Sequence, residues 1–328
     1  MPANERLPAL VRAAQAEGSL TVNLRADLVA PELERAFEDQ YGIDLQIVNP
    51  GTARITRQQI LQEARAGKVR SDVIESYVHE MDTIYAESHV ITHLPRFLRE
   101  SALDPSLTTE FSAETFQYPF LVAWNTQRVA AAEAPRRFED LLNPRWANRL
   151  VMVQNYEMWY KALFDRLTGD GMSVEEFERV FRHIAADSNV TSSSNPASAF
   201  LASGQYTAGI NINLNSITRI DGAPIAFEPV VGAVPLLPNG IGLARDAHHP
   251  AAALLFAHWY LTDGVPILQE EQFIQQSPNE TRLDGAPVVR PELDDLDSAR
   301  LQEWREAYDA LLRGGDEVLP AYVRGGTP

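Results

Sequence analysis

The stretch SLTVNLRADLVAPELERAFEDQYGIDLQIV, residues 19–48, decides the fold class. It opens with a strand pattern at 19–24, continues with a helix pattern that Pro31 opens and Gly42 closes, and returns to a strand pattern at 44–48. Proline suits the first turn of a helix, and glycine suits the left-handed position just past its end. A strand, a helix and a second strand in this order predict a βαβ unit with parallel strands.

The same alternation continues along the chain. The helix pattern ITRQQILQEARAG ends at Gly67, and the strand patterns DVIE at 72–75, RLVMV at 149–153 and YTAGININL at 206–214 each precede a helix pattern. Repeated βαβ units predict an α/β fold with mainly parallel sheets covered by helices.

Two long segments break this alternation, because they are extended and carry no helix pattern. They are FQYPFLVAWNTQRV at 116–129 and EPVVGAVPLLPNGIGLARD at 228–246. Segments of this kind suit crossings between two doubly wound α/β lobes. We therefore expect two discontinuous lobes, and the sequence leaves the placement of the C-terminal tail open. The first lobe would comprise 1–117 and 233–275, and the second 118–232 and 276–328.

Composition and charge exclude several classes of function. The 328 residues are 45% hydrophobic and 22% charged, as in an ordinary globular protein. A formal net charge of −17 argues against a nucleic-acid partner, because the long-range field repels phosphates. The chain has no cysteine, so disulfides and thiolate metal sites are excluded. The seven histidines show no paired ligand spacing, and we expect no metal site and no cofactor.

Polar or glycine-containing turns follow the strands and lead into helices. In open α/β sheets, ligands bind at the carboxyl ends of strands and against the amino ends of helices. Three such turns in the first half and two in the second would line the two walls of a cleft. The candidate ligand-binding residues are Asn23, Arg25, Gly51, Thr52, Arg54, Glu75, Ser76, Tyr77, Asn155, Tyr156, Ser192, Ser193, Ser194, Asn213 and Asn215.

The last turn of this set is the serine run TSSSNP at 191–196. We expect Asn195 to cap the following helix, Pro196 to occupy its first position and Gly204 to end it in the left-handed conformation. The serine hydroxyls and the unpaired N–H groups at the helix start could hold an anion or a polar ligand. An ordinary solvated loop is the alternative.

The order of these pieces resembles the extracellular solute-binding proteins of bacterial ABC importers. It resembles the type II periplasmic-binding fold in its ferric-ion, spermidine and thiamine-like branch. The resemblance rests on ILQEARAGKVRSDVI at 60–74, FEDLLNPRWANRLVM at 138–152, TSSSNPASAFLASGQYTAGI at 191–210 and LLPNGIGLARDAHHPAAALLFAHWYLTDG at 236–264. The second of these is the most specific, and together the pieces extend over most of the chain.

The resemblance implies two lobes joined by extended hinge segments that close on a small solute in an interlobe cleft. It implies delivery of the solute to the transmembrane subunits of an ABC permease, and a periplasmic or extracellular location with the signal peptide removed. We expect a monomer and no enzymatic activity. The alternative is an enzyme or a ligand-sensing domain on the same fold, but nucleophile-elbow, phosphate-loop and dinucleotide glycine motifs are absent from the sequence.

The solute is expected to be anionic or rich in hydroxyls, such as a phosphorylated sugar, a phosphonate or an organic acid. Arg25 and Arg54 could form forked contacts with carboxylate or phosphate oxygens. Asn213 and Asn215 alternate with apolar residues, which predicts one polar strand face. Tyr77, Tyr156 and Trp159 are candidates to stack on a ligand, and a core position is the alternative for Trp159.

Ferric ion or a cationic solute is the second candidate. Ferric-binding members of the branch commonly place paired tyrosines in the strand that here contains NINLN at 211–215, so the asparagines argue against iron. Glu75 and Glu157 favour a thiamine-like or polyamine solute, because their carboxylates would attract a cation.

Overall fold

The structure of the chain is a computed structural model. It divides into two compact units: unit 1 spans Met1–Gln117 and Pro238–Gln276, and unit 2 spans Tyr118–Leu237 and Ser277–Pro328. The structure describes residues 3–25, 29–49, 51, 53–102, 105–270, 282–283, 285–294 and 296–324.

The strands follow the predicted alternation closely, and 44–48 coincides with its predicted bounds. In chain order they are β1 Ser19–Asn23, β2 Asp44–Val48, β3 Val73–Tyr77, β4 Ala113–Asn125, β5 Leu150–Val153, β6 Ser188–Thr191, β7 Ala208–Asn213, β8 Ile225–Ala226, β9 Val234–Leu243, β10 Arg282–Leu283 and β11 Ala286–Val289.

The α-helices are α1 Ala3–Glu17, α2 Ala30–Tyr41, α3 Ala53–Arg65, α4 Val78–Glu80, α5 Arg96–Ser101, α6 Glu157–Gly169, α7 Val174–Ala186, α8 Ser194–Ala202, α9 Leu214–Thr218, α10 Pro250–Trp259, α11 Val265–Glu270, α12 Ser298–Leu312 and α13 Ala321–Arg324. Single π-helical stretches at Met81–Tyr85 and Tyr260–Gly264 continue α4 and α10, and short 3₁₀ turns lie at Pro105–Leu107, Ala131–Glu133, Phe138–Leu142 and Pro144–Trp146.

Unit 1 is built on β1, which pairs in parallel with β2 on one side and with β3 on the other. On its far side β3 pairs antiparallel with β9. Helix α2 starts beside Pro31 and ends at Gly42, whose φ of 66° is the left-handed conformation that glycine adopts without a Cβ penalty. Its buried face brings Phe37 to 5.2 Å from Trp259 and 5.3 Å from Phe256 of α10, measured between ring centroids.

Helix α10 and its continuation are part of this core. The stretch Pro250–Leu268 is long and apolar enough to cross a membrane by length and composition alone. In unit 1, however, Leu255, Phe256 and Trp259 of this stretch are almost completely buried. We therefore assign it as a core helix of unit 1.

Unit 2 is built on β5, which pairs in parallel with β6 and with β7. Strand β4 pairs antiparallel with the other side of β7. Beneath the sheet, Val151 and Val153 of β5, Ile212 of β7 and Ala197 and Leu201 of α8 form a fully buried cluster. A second apolar layer joins aromatic rings of α6, α7 and α12, namely Tyr160, Phe164, Phe177, Phe181, Trp304 and Tyr308.

Strands β4 and β9 pass from one unit to the other. Unit 1 ends within β4 after Gln117, and it resumes within β9 at Pro238. These strands lie in the two segments that the sequence predicts as extended. Closure of the two units about them stays a prediction.

Candidate functional site

The carboxyl edge of unit 1 gathers polar residues from three strands. Asn23 ends β1 and Tyr77 ends β3, and Asn239 of β9 is paired with Tyr77 in the ladder. All three residues are buried. The side-chain oxygen of Asn23 and both side-chain polar atoms of Asn239 have no hydrogen-bond partner among the described residues. Buried amides normally find a partner, and ordered water is a common one where protein groups supply none.

Arg25 lies at this edge, directly after β1, and is half-buried. Its guanidinium carbon is 4.5 Å from the centre of the Tyr77 ring, a cation–π contact. The Tyr77 ring also stacks on His79 with centroids 5.4 Å apart, and the residue is only 3% exposed. Tyr77 therefore supports Arg25, whereas the sequence predicted a ring that stacks on the ligand.

Glu75 is completely buried in the middle of β3. One carboxylate oxygen accepts the backbone N–H of Arg25 at 3.1 Å, and the other accepts the hydroxyls of Thr115 and Tyr260 at 3.0 Å each. Burial raises the pKa of this carboxyl, although the hydrogen bonds and the nearby Arg25 charge act in the opposite direction. Glu75 was predicted to touch the ligand, but its carboxylate is enclosed by protein groups.

Ser76 is also buried, and its hydroxyl donates to Glu80 at 2.6 Å. Arg57 of α3 forms an ion pair with the same Glu80 carboxylate. The Ser76 hydroxyl is thus committed to a network that ties α3 to the end of β3. Arg57 was not predicted from the sequence, because one arginine on a helix carries no signal of a partner distant in sequence.

The second predicted turn of unit 1 is more open. Arg54 is exposed in the first turn of α3, and Gly51 is exposed with a φ of 120°. The Gly51 N–H donates to the side chain of Asn49 at 3.0 Å. Thr52, predicted to contact the ligand, lies outside the described residues. An exposed arginine at a helix start can attract an anion but holds it weakly.

The carboxyl edge of unit 2 brings together residues that follow three parallel strands. The hydroxyls of Tyr156, before α6, and Ser194, at the start of α8, are 3.4 Å apart. The Ser194 hydroxyl also accepts the backbone N–H of Asn213 at 3.1 Å. Asn155 beside them is half-buried with a φ of 62°, a left-handed conformation that asparagine tolerates. Four predicted residues therefore lie close together at this edge.

The start of α8 differs from the prediction. The helix begins at Ser194 with Ser193 as its N-cap, and Asn195 is an exposed residue inside it. Pro196 then occupies the third helical position, where its missing N–H is still one of the four that lack an intrahelical partner. Of the serine run, Ser192 is exposed, Ser193 is half-buried and Ser194 is buried. The predicted left-handed Gly204 is confirmed, with a φ of 72°.

The predicted polar strand face of Asn213 and Asn215 is wrong. Strand β7 ends at Asn213, whose side chain accepts the N–H of Asn215 at 2.9 Å and so caps α9. Asn215 lies in that helix, 3% exposed, with both side-chain polar atoms lacking a partner among the described residues. Asparagine is a strong N-cap residue, and a cap at Asn213 ends the alternation that the strand pattern implied.

Two further candidates prove to be structural. Trp159 is 1% exposed and packs edge-on against Phe138 and Phe181, so it belongs to the core of unit 2. Glu157 forms a buried ion pair with Arg305 of α12, with 2.6 Å between carboxylate oxygen and guanidinium nitrogen. Its charge is neutralised inside unit 2.

Strand β7 also contains Asn211, for which the sequence predicted no structural role. The buried Asn211 side chain accepts the N–H of Val153 and donates to its C=O, both at 2.9 Å, and donates to the Tyr308 hydroxyl at 2.8 Å. This network joins β7, β5 and α12. Tyr206 precedes β7 and packs against the apolar cluster beneath the sheet. Among the described residues, no group of three or more histidine, aspartate or glutamate side chains could hold a metal ion.

Comparison with known proteins agrees with this architecture. Residues 93–213 match the family of bacterial extracellular solute-binding proteins. No curated protein sequence matches the chain significantly. The family match covers less than half of the chain, and this part is similar to that family. The predicted resemblance to the periplasmic proteins of ABC transporters is thereby confirmed.

Solved structures resemble the fold over most of the chain. Iron-bound HitA from Pseudomonas aeruginosa is 17% identical, with a TM-score of 0.69 over 91% of this chain and 99% of its own. AfuA from Actinobacillus pleuropneumoniae, with exogenous fructose-6-phosphate bound, is 17% identical with a TM-score of 0.72 over 90% and 99%. PotD from Streptococcus pneumoniae, a spermidine/putrescine transporter protein, is 12% identical with a TM-score of 0.64 over 90% and 99%. The type II periplasmic-binding fold is therefore confirmed.

Proposed function

We propose that the chain is a bacterial solute-binding protein and the capture component of an ABC importer for a small anionic or hydroxyl-rich solute. Phosphorylated sugars, phosphonates and organic acids are the candidate classes. The solute would bind to residues of both carboxyl edges in a cleft and be passed to the permease. The protein would act as a monomer outside the cytoplasm, without a cofactor and without catalysing a reaction.

The position of Arg25 carries this proposal. It is a half-buried residue at the carboxyl edge of unit 1, with its guanidinium held against Tyr77 and close to the buried amides of Asn23 and Asn239. A partly desolvated arginine favours carboxylate or phosphate oxygens, since its planar fork matches them. The edge of unit 2 contributes the neutral hydroxyl and amide groups of Tyr156, Ser194 and Asn215, which suit sugar hydroxyls.

A cationic or ferric solute remains the second candidate, since the structural neighbours include an iron-bound protein and a spermidine/putrescine protein. The two carboxylates that favoured it are engaged inside the protein. Glu157 is paired with Arg305, and Glu75 accepts three hydrogen bonds while fully buried. Neither is presented to a bound cation, which supports the anionic class.

A thermal-shift screen tests the proposal, with hexose phosphates, phosphonates, organic acids, chelated ferric ion and polyamines as separate arms. A ligand at a hundredfold excess over its Kd stabilises the folded state by about 2.7 kcal/mol. We expect stabilisation by members of the anionic arms alone. Stabilisation by ferric ion or a polyamine, with no response to any anion, would overturn the proposal.

A further inference from the structure

The turn after β1 depends on one buried carboxylate. The N–H of Leu24 still bonds to the C=O of Val48 on β2 at 3.2 Å, so Arg25 is the first residue past this strand pairing. Its N–H bonds instead to a Glu75 carboxylate oxygen at 3.1 Å. Strand β2 offers no acceptor to the Arg25 N–H, and the Glu75 side chain takes its place.

The other oxygen of Glu75 fixes the carboxylate itself. It accepts hydrogen bonds from the hydroxyl of Thr115 on β4 and from the hydroxyl of Tyr260 in the π-helical stretch that continues α10, both at 3.0 Å. A completely buried carboxylate is costly unless it is well paired. Three donors from three separate elements hold this one in a single orientation.

We propose that Glu75 is a positioning residue: it fixes the backbone at Arg25 so that the guanidinium lies over the Tyr77 ring, ready to receive an anionic group. That Arg25 receives the solute rests on the proposed function, but its placement by Glu75 does not. The Arg25 backbone is fixed by Glu75, and its side-chain end is fixed by Tyr77 at 4.5 Å. A side chain held at both ends loses less conformational freedom on binding, which raises affinity.

The chemistry of the position explains why a carboxylate is needed. In the wild type, three donors bond to the two carboxylate oxygens of Glu75. A glutamine has the same shape but only one acceptor oxygen. Glu75→Gln therefore leaves the Arg25 N–H facing an NH₂ group, or obliges the Thr115 and Tyr260 hydroxyls to turn and accept from that group instead of donating. Thr115→Val is the matched control, since it removes one donor from the far oxygen and leaves the oxygen that holds Arg25 in place.

The first test uses the protein without any ligand. Nuclear magnetic resonance would follow the ring-current shift of the Arg25 side-chain protons and the hydrogen exchange of its amide. In Glu75→Gln we expect the ring-current shift to collapse and the Arg25 amide to exchange about tenfold faster or more. In Thr115→Val both should stay within error. Unchanged Arg25 signals in Glu75→Gln, or equal changes in the control, would overturn the proposal.

Glu75→Asp is a second variant, to be used if Glu75→Gln fails to fold. It keeps the charge but withdraws the carboxylate by one methylene, so the Arg25 N–H loses its partner. We expect the same Arg25 signature as in Glu75→Gln. A native Arg25 environment in this variant would contradict the proposal.

The second test connects placement to binding through a double-mutant cycle with Arg25→Ala, measured by calorimetry with fructose 6-phosphate and inorganic phosphate as probes. We expect Glu75→Gln to weaken binding about tenfold, and to have no further effect once Arg25 is alanine. Additive losses would contradict action through Arg25. If neither probe binds, the proposed solute class is wrong for these probes, while the resonance experiment still decides the role of Glu75.

Discussion

The two carboxyl edges of the molecule differ in how they present polar groups. The edge of unit 1 is charged: the backbone N–H of Arg25 bonds to the buried Glu75 carboxylate, and Arg57 forms an ion pair with Glu80. The edge of unit 2 is neutral, with Tyr156, Ser194 and Asn213 joined through hydroxyl and backbone hydrogen bonds. Charge gives strength and selectivity for an anion, whereas neutral amides and hydroxyls distinguish the shape of a polar body.

The largest expected effect is a loss of stability when the hydrogen-bond network of Asn211, Val153 and Tyr308 in unit 2 is removed. Asn211→Ala removes an amide that bonds to both polar groups of Val153 and to Tyr308, all of them buried. We expect the free energy of unfolding to fall by about 2–4 kcal/mol, measured by denaturant titration.

Tyr308→Phe is the control for this variant. It removes one hydroxyl from the network but leaves Asn211 bonded to Val153, so a loss of about 1–2 kcal/mol is expected. A loss in Asn211→Ala no larger than in Tyr308→Phe would mean that the amide network is not what stabilises unit 2.

The second expected effect is a loss of ligand affinity when an arginine at the carboxyl edge of unit 1 is removed. Arg25→Ala should weaken binding of the anionic solute found in the screen by about 1.5–3 kcal/mol, measured by calorimetry. Arg54→Ala should cost less, because Arg54 is exposed, and its effect should shrink as salt is added. A larger loss from Arg54 than from Arg25 would assign the anion to the start of α3 instead.

The third expected effect is a pH dependence of stability that arises from Asp82 in unit 1. Asp82 lies in the π-helical stretch after β3, and burial raises its pKa to about 6 from an ordinary value of 3.8. The folded state therefore binds this proton more tightly than the unfolded state does. The stabilisation from this group is complete below about pH 4 and is lost as pH rises through about 6.

Asp82→Asn removes that dependence. Relative to wild type, the variant should gain about 1–2 kcal/mol of stability between pH 4 and pH 7, followed by denaturant titration at each pH. Asp82 is partly exposed, so solvent screening makes this gain smaller than the full pKa shift implies. A pH-independent difference between the two proteins would show that Asp82 titrates normally.

The smallest effect separates members of the serine run. Ser194→Ala leaves the buried N–H of Asn213 without its acceptor and should cost about 1 kcal/mol of stability. Ser192→Ala changes an exposed residue and should cost close to nothing. Equal stability of the two variants in thermal unfolding would mean that the Ser194 contact is not structural.

The sequence predicted the fold well because its signals are local. Strand and helix patterns, with Pro31 and Gly42 at the ends of α2, depend on neighbours within a few residues. The site was harder to predict, since burial and distant partners decide the role of each side chain. Glu75 meets Thr115 and Tyr260 from far along the chain, and Glu157 meets Arg305. No spacing in the sequence distinguishes an enclosed carboxylate from one that faces a ligand.

Asn239 is a residue at the carboxyl edge of unit 1 that was not predicted from the sequence. It lies in the segment PLLPNGIG of the apolar strand β9, which the sequence predicts only as an extended crossing. A single amide in a fully buried strand is a usable signal, because burying an amide without a partner is costly. The register that places it opposite Tyr77 is visible only in the structure.

Calorimetry with a charge-matched pair of solutes tests the central claim most directly. The best anionic ligand from the screen and its neutral counterpart, such as a hexose phosphate and the free hexose, would be titrated into wild type and Arg25→Ala. We predict that wild type binds the anionic form at least about tenfold more tightly, and that most of this preference disappears in the variant. Equal affinity of wild type for both forms, or a preference that survives loss of Arg25, would contradict the account.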